Sequence, residues 1–149
     1  MSELLSGVTI RNQESKDLDA GEHLKNKVVG LYFSAMWCPP CREFTPKLLR
    51  FFSQIKKNHP EFEIVFVSRD REEDDLREYF LEHMGQWTYI PFGSNKIKEL
   101  LEEYEVKTIP SMRIIKPNGD VVVADARTDI VNKGQDPESL WEEWMAFYG

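Results

Sequence analysis

A chain of 149 residues can bury a core without disulfide staples, and its two cysteines are too few for a disulfide scaffold. With 41% apolar and 30% charged residues, its balance is that of a soluble globular protein, read as one domain over residues 1–149. A net charge of −7 argues against nucleic acid or an anionic membrane as the main partner. No run is long enough for a membrane span, and residues 1–7 lack the basic and apolar regions of a signal peptide. An intracellular, reducing setting is the default expectation, cytoplasmic first and nuclear second.

Residues 1–26 are weakly patterned, with a short edge strand at 8–10 and an ambiguous stretch from 18 to 26. Residues 28–34 form an apolar, β-branched and aromatic run, predicted to be a buried strand. Residues 39–58 carry apolar side chains at helical spacing and end on basic residues followed by Pro60. Pro46 lies inside that helix and should bend it. Residues 62–68 read as a second buried strand, followed by a polar loop to Arg71. An amphipathic helix is expected from 72 to 84, then a connector from 85 to 91. Ser94 caps a helix running to about 105, with Ile97, Leu100, Leu101 and Tyr104 inward. Strands at 112–116 and 121–124 are joined by a turn through Asn118-Gly119, a hairpin signal. A last helix starts at Pro137 behind an Asp136 cap and carries Leu140, Trp141, Trp144 and Phe147. This order calls for an α/β fold with a central mixed sheet and helices on both faces.

The chemistry concentrates in Trp37-Cys38-Pro39-Pro40-Cys41, where the first buried strand hands over to a helix N-terminus. Free N–H groups and the positive end of the helix dipole there favour a thiolate. Cysteines three apart on a first helical turn share a face and can close a disulfide with little movement. Cys38, nearer the helix start, is expected to attack; Cys41, one turn in, is expected to resolve. A structural zinc site wants four ligands, and His23, His59 and His83 are scattered among charged residues, so no metal is expected.

The motif resembles the active site of the thioredoxin superfamily, in the Pro-Pro form of nucleoredoxins and tryparedoxins. Pro46 stands where thioredoxins carry a proline, and Thr108-Ile109-Pro110-Ser111 resembles the loop that holds the family's cis-proline. Tyr32-Phe33-Ser34-Ala35, Phe66-Val67-Ser68-Arg69-Asp70 and Trp87-Thr88-Tyr89-Ile90-Pro91-Phe92 are similar to the nucleoredoxin and tryparedoxin branch. The resemblance covers roughly residues 26–147 and implies a thioredoxin-like fold. It implies a protein-disulfide reductase working through Cys38 and Cys41, with no cofactor. Trp37, Pro39, Pro40, Ile109 and Pro110 would form the motif and substrate groove. Partners would be disulfide-containing proteins and an external dithiol or reductase as electron donor. Tyr32 stands where thioredoxins have a buried aspartate, and Arg69 where tryparedoxins have a tryptophan. A redox-responsive binding module, regulating a signalling partner with little turnover, is the alternative of another class.

Overall fold

The computed structural model describes residues 4–148; residues 1–3, part of the stretch read for a signal peptide, and residue 149 lie outside the described residues. Seven strands form one sheet: β1 (Thr9–Arg11), β2 (Asp17–Asp19), β3 (Val28–Ser34), β4 (Phe62–Ser68), β5 (Thr88–Tyr89), β6 (Ser111–Ile115) and β7 (Val121–Val123). Their spatial order is β2-β1-β5-β4-β3-β6-β7. β3 lies inside the sheet, parallel to β4 with Val28 opposite Phe62 and Ser34 opposite Ser68. On its other side it runs antiparallel to β6, with Tyr32 opposite Met112. Every residue of β3 and β4 is buried, which is why their sequences read as continuous apolar runs rather than alternating ones.

The two-residue side-chain period of β3 divides the core between the faces. Val28 and Tyr32 point to the layer that contains α2 (Pro39–Asn58), α3 (Glu73–His83), α5 (Ala126–Lys133) and α6 (Pro137–Tyr148). Val29, Leu31 and Phe33 point to the opposite layer, with Ala20 of α1 (Ala20–His23) and Leu100 of α4 (Asn95–Glu103). Helices thus cover both faces, as expected.

α2 begins at Pro39 and buries Cys41, Phe44, Leu48, Phe51, Phe52 and Ile55 along one stripe. Pro46 sits inside it and is exposed, so its ring meets solvent rather than the sheet. The Ser94 hydroxyl caps α4 by accepting from the Lys96 N–H at 3.2 Å. The Asn118-Gly119 turn forms between β6 and β7, with Gly119 at φ 99°, a conformation that glycine adopts without a Cβ penalty.

The elements that differ from expectation are short or polar. Residues 85–91, read as a connector, contain β5, two residues long, which bridges β4 and β1. β2 and α1 resolve the ambiguous stretch from 18 to 26. α5 has no counterpart in the sequence reading, because it buries only Ala126 and Ile130 and shows no sustained apolar period. Asp125 caps it by accepting from the Thr128 N–H at 3.1 Å. On α6, Leu140, Trp141 and Trp144 are buried, while Phe147 is 68% exposed.

Candidate active site

β3 ends at Ser34, and after four intervening residues the chain enters α2 at Pro39. Cys38 is the N-cap residue, in an extended conformation (φ −101°, ψ 107°) with no side-chain cap bond. Pro39 and Pro40 occupy the first two helical positions, where a missing N–H is tolerated because no intrahelical acceptor exists for it. The first N–H of the helix is therefore that of Cys41.

The turn leading into the helix is fastened by the loop after β4. The Met36 N–H donates to Asp70 Oδ1 at 2.8 Å, and the Ser68 hydroxyl donates to Asp70 Oδ2 at 2.7 Å. The Arg69 N–H donates to the Ser34 carbonyl at 2.9 Å. Burial pushes the Asp70 carboxyl up from its ordinary range, against the pull of the Ser68 and Met36 hydrogen bonds. Trp37 projects outward, 51% exposed; its indole N–H donates to the Arg69 carbonyl at 3.1 Å, and the Arg71 guanidinium lies 5.8 Å from its ring centre. Pro39 and Pro40 are also exposed.

Both cysteines are free thiols. The Cys41 thiol meets the Cys38 sulfur at 2.6 Å, so the two sulfurs are in direct contact. Cys38 is the less enclosed of the two but only 5% exposed, against 0% for Cys41, with Ala35 and Ile109 packed against the pair. The Ile109 carbonyl lies 3.8 Å from Cys38 Sγ, the Ile109–Pro110 bond is cis, and Pro110 is buried. All seven residues singled out from the sequence, Trp37 to Cys41 with Ile109 and Pro110, therefore converge on one end of β3 and α2. Burial pushes the Cys41 thiol up to about 12, and its hydrogen bond with Cys38 adds to the rise.

Beneath Cys41 lies a feature that the sequence reading missed. Tyr32 and Ser34, two apart on β3, present their hydroxyls on the same face. The Tyr32 hydroxyl is 2.7 Å from Thr45 Oγ1, Thr45 Oγ1 is 2.6 Å from the Tyr79 hydroxyl, and Tyr79 is 2.8 Å from Ser34 Oγ. The Thr45 hydroxyl also reaches the Cys41 carbonyl, one helical turn back, at 2.9 Å. Burial pushes both phenols, Tyr32 and Tyr79, up from their ordinary values. The only legible signal was the strand period that pairs Tyr32 with Ser34 and the helical spacing of four between Cys41 and Thr45.

Comparison with known proteins agrees with this geometry. A thioredoxin-like family model matches residues 26–121. A thioredoxin structure from Wuchereria bancrofti is 40% identical and superposes with a TM-score of 0.83, covering 97% of this chain and 99% of that one. Tryparedoxin I from Crithidia fasciculata is 34% identical with a TM-score of 0.80, over 89% of this chain and 91% of that one. Mouse nucleoredoxin is 35% identical over 144 residues, 93% of this chain but 31% of the relative; a probable nucleoredoxin 1 from Arabidopsis thaliana is 38% identical over 80% of this chain and 20% of the relative. The chain thus spans about a fifth to a third of the length of these curated relatives.

The chain belongs to the thioredoxin-like family of oxidoreductases. Within that family, its similarity to nucleoredoxins and tryparedoxins places it on their branch.

Proposed function

We propose that the protein reduces disulfides in protein substrates through Cys38 and Cys41. The observation that carries this reading is the thiol pair itself: two free sulfurs 2.6 Å apart at a helix start, with the Ile109 carbonyl 3.8 Å from the outer one. Cys38 as thiolate attacks one sulfur of the substrate disulfide. A Cys38–substrate bond forms, the substrate S–S bond breaks, and the first substrate sulfur leaves with the electron pair. Cys41 then attacks Cys38. The Cys38–Cys41 bond forms, the second substrate sulfur leaves, and the substrate is reduced as the dithiol is oxidised. An external dithiol or a reductase returns the pair to its starting state.

The N-cap position suits Cys38 to the first step, since the α2 dipole favours negative charge there. Cys41 suits the second step, because its burial keeps it protonated until the mixed disulfide is in place. Trp37, on the open side of the pair, and the main chain at Ile109 and Pro110, on the other, are the surfaces a substrate strand would touch.

The test is reduction of insulin with thioredoxin reductase, glutathione or a small dithiol supplied in turn as electron source. Turnover with at least one source, abolished in both Cys38→Ser and Cys41→Ser, is the expected result. Folded protein that turns over with none of them would end the reductase reading.

A further inference from the structure

We propose that the cleft between the β4–α3 loop and the start of α4, beside Trp37, seats a segment of the protein substrate that carries carboxylates around an apolar side chain, a few residues from the substrate's disulfide. The inference names the substrate class for the dithiol reading above and rests on it.

The cleft has a volume of about 300 Å³, with Phe92, Ile97 and Leu101 as apolar lining and Arg69 and Lys98 as cations. Phe92 is 41% exposed, so an apolar side chain seated there would take its ring out of water. Arg69 and Lys98 are exposed, and among the described residues neither has an ion-pair partner. Arg71, a third cation on this side, lies 5.8 Å from the Trp37 ring centre and likewise has no carboxylate partner. Glu72, Glu73, Asp74 and Asp75 follow it directly and pair with none of the three. Among the lining residues Asp70 is the one carboxylate, and both of its oxygens are engaged, by the Met36 N–H at 2.8 Å and the Ser68 hydroxyl at 2.7 Å. A chain of net charge −7 thus leaves three cations unneutralised beside its thiol pair.

Hydrogen bonds join the cleft to the thiols. The Trp37 indole N–H donates to the Arg69 carbonyl at 3.1 Å, and Asp70 holds the Met36 N–H. The wall of the cleft is therefore fastened to the two residues before Cys38. A substrate strand that leaves Cys38 across Trp37, rising about 3.3 Å per residue, reaches the cleft within a few residues. Ser94 and Asn95, at the N-terminus of α4, line the same cleft, and the helix dipole there has the same sign as the cations. An occupant with carboxylates around an apolar side chain meets its complement in both respects, whereas a basic segment meets repulsion.

The test uses two synthetic peptides of equal length, each with a leucine on both sides of a cysteine that is disulfide-linked to a fluorescent thiol. Glutamates surround the leucines in one peptide and lysines in the other. Pre-reduced protein is mixed with each, and release of the fluorescent thiol gives a second-order rate. The ratio of the two rates within one protein cancels any change in the dithiol itself. Wild type should favour the acidic peptide by about tenfold or more at low salt, and high salt should shrink that preference. The double variant Arg69→Glu, Lys98→Glu reverses two exposed charges, spares the core, and should favour the basic peptide. Replacing the leucines of the acidic peptide with serine should slow wild type by about threefold or more, and Phe92→Ser by clearly less. A wild-type preference within about twofold, or a double variant that keeps the wild-type preference, would overturn the proposal. So would sedimentation showing a wild-type dimer that the double variant dissolves, which would give the cleft to a second copy of the chain. Wild-type protein that reduces neither peptide would overturn the dithiol reading as well, and is told apart by that lack of any release.

Discussion

At the scale of single residues, the two cysteines differ in what surrounds them rather than in what they are. Cys38 caps a helix and meets the Ile109 carbonyl; Cys41 is enclosed and holds its proton to about pH 12. Cys41→Ser should therefore trap partner proteins as disulfide-linked adducts that reductant releases, while Cys38→Ser should trap few. Non-reducing gels after exposure to cell extract, with adducts counted by mass spectrometry, check this; equal trapping by both variants would remove Cys38 as the nucleophile. Tyr32 belongs to the same neighbourhood, its hydroxyl 2.7 Å from Thr45 Oγ1. Tyr32→Phe should cost about 1 kcal/mol in denaturant unfolding and leave disulfide reduction within about tenfold of wild type. A loss of several hundredfold with the fold intact would make the phenol part of the chemistry. The cysteines were legible because their spacing and their place between strand and helix are local. The hydroxyl cluster was not: positions 32, 34, 45 and 79 come from two strand residues and two different helices, and only packing brings them together. Asp70 was quoted only as part of a strand-end motif. Its bond to the Met36 N–H, which fixes the turn before Cys38, spans 34 residues of sequence.

At the scale of elements, what was legible follows from burial. β3, β4 and α2 have long apolar signatures, and the structure places all three at the bounds expected for them. β5 was not legible because its two residues owe their strand geometry to their neighbours on each side rather than to their own pattern. α5 was not legible because only Ala126 and Ile130 of its residues are buried, Val131 being exposed, and its helix is held from outside. Its Asp129 accepts from the Trp144 indole N–H at 3.0 Å, tying it to α6. Trp144 is fully buried, with its ring centre 5.2 Å from that of Phe51 on α2 and 6.5 Å from that of Phe62 on β4. It therefore links α6 to α5, to the long helix behind the thiols and to the sheet. Trp144→Ala should destabilise the fold by about 3–5 kcal/mol, through the lost burial and the cavity left behind. Asp129→Asn, which keeps an acceptor for the indole, should cost much less. Chemical denaturation of both variants checks the pair; a Trp144→Ala loss under about 1 kcal/mol would mean that α6 packs on this layer without supporting it.

At the scale of the whole molecule, burial ties the ionisation of one thiol to the stability of the fold. The fold class was legible because strand and helix signals alternate along the sequence and the sheet must be covered on both faces. The consequence of burying Cys41 was not, since it depends on how completely Ala35, Ile109 and the surrounding layer enclose the sulfur. An unfolded chain releases the Cys41 proton near pH 8.5, whereas the folded chain holds it to about 12. Where the folded pKa is the higher one, the folded state binds the extra proton between the two values, so stability falls as pH rises through that window. Below about pH 8 the contribution of this thiol is complete; by pH 9.5 the reduced protein should have lost about 1.4 kcal/mol from this group alone. The disulfide form has no thiol at Cys41 to titrate and should lack this slope. The measurement is denaturant unfolding of reduced and oxidised protein at pH 7.5, 8.5 and 9.5, with Cys41→Ser as a third reference that lacks the Cys41 contribution. The oxidised form should gain on the reduced form as pH rises. A difference between the two that stays constant across the series, or a reduced Cys41→Ser protein that falls as steeply as reduced wild type, would show that Cys41 does not hold its proton in the folded state.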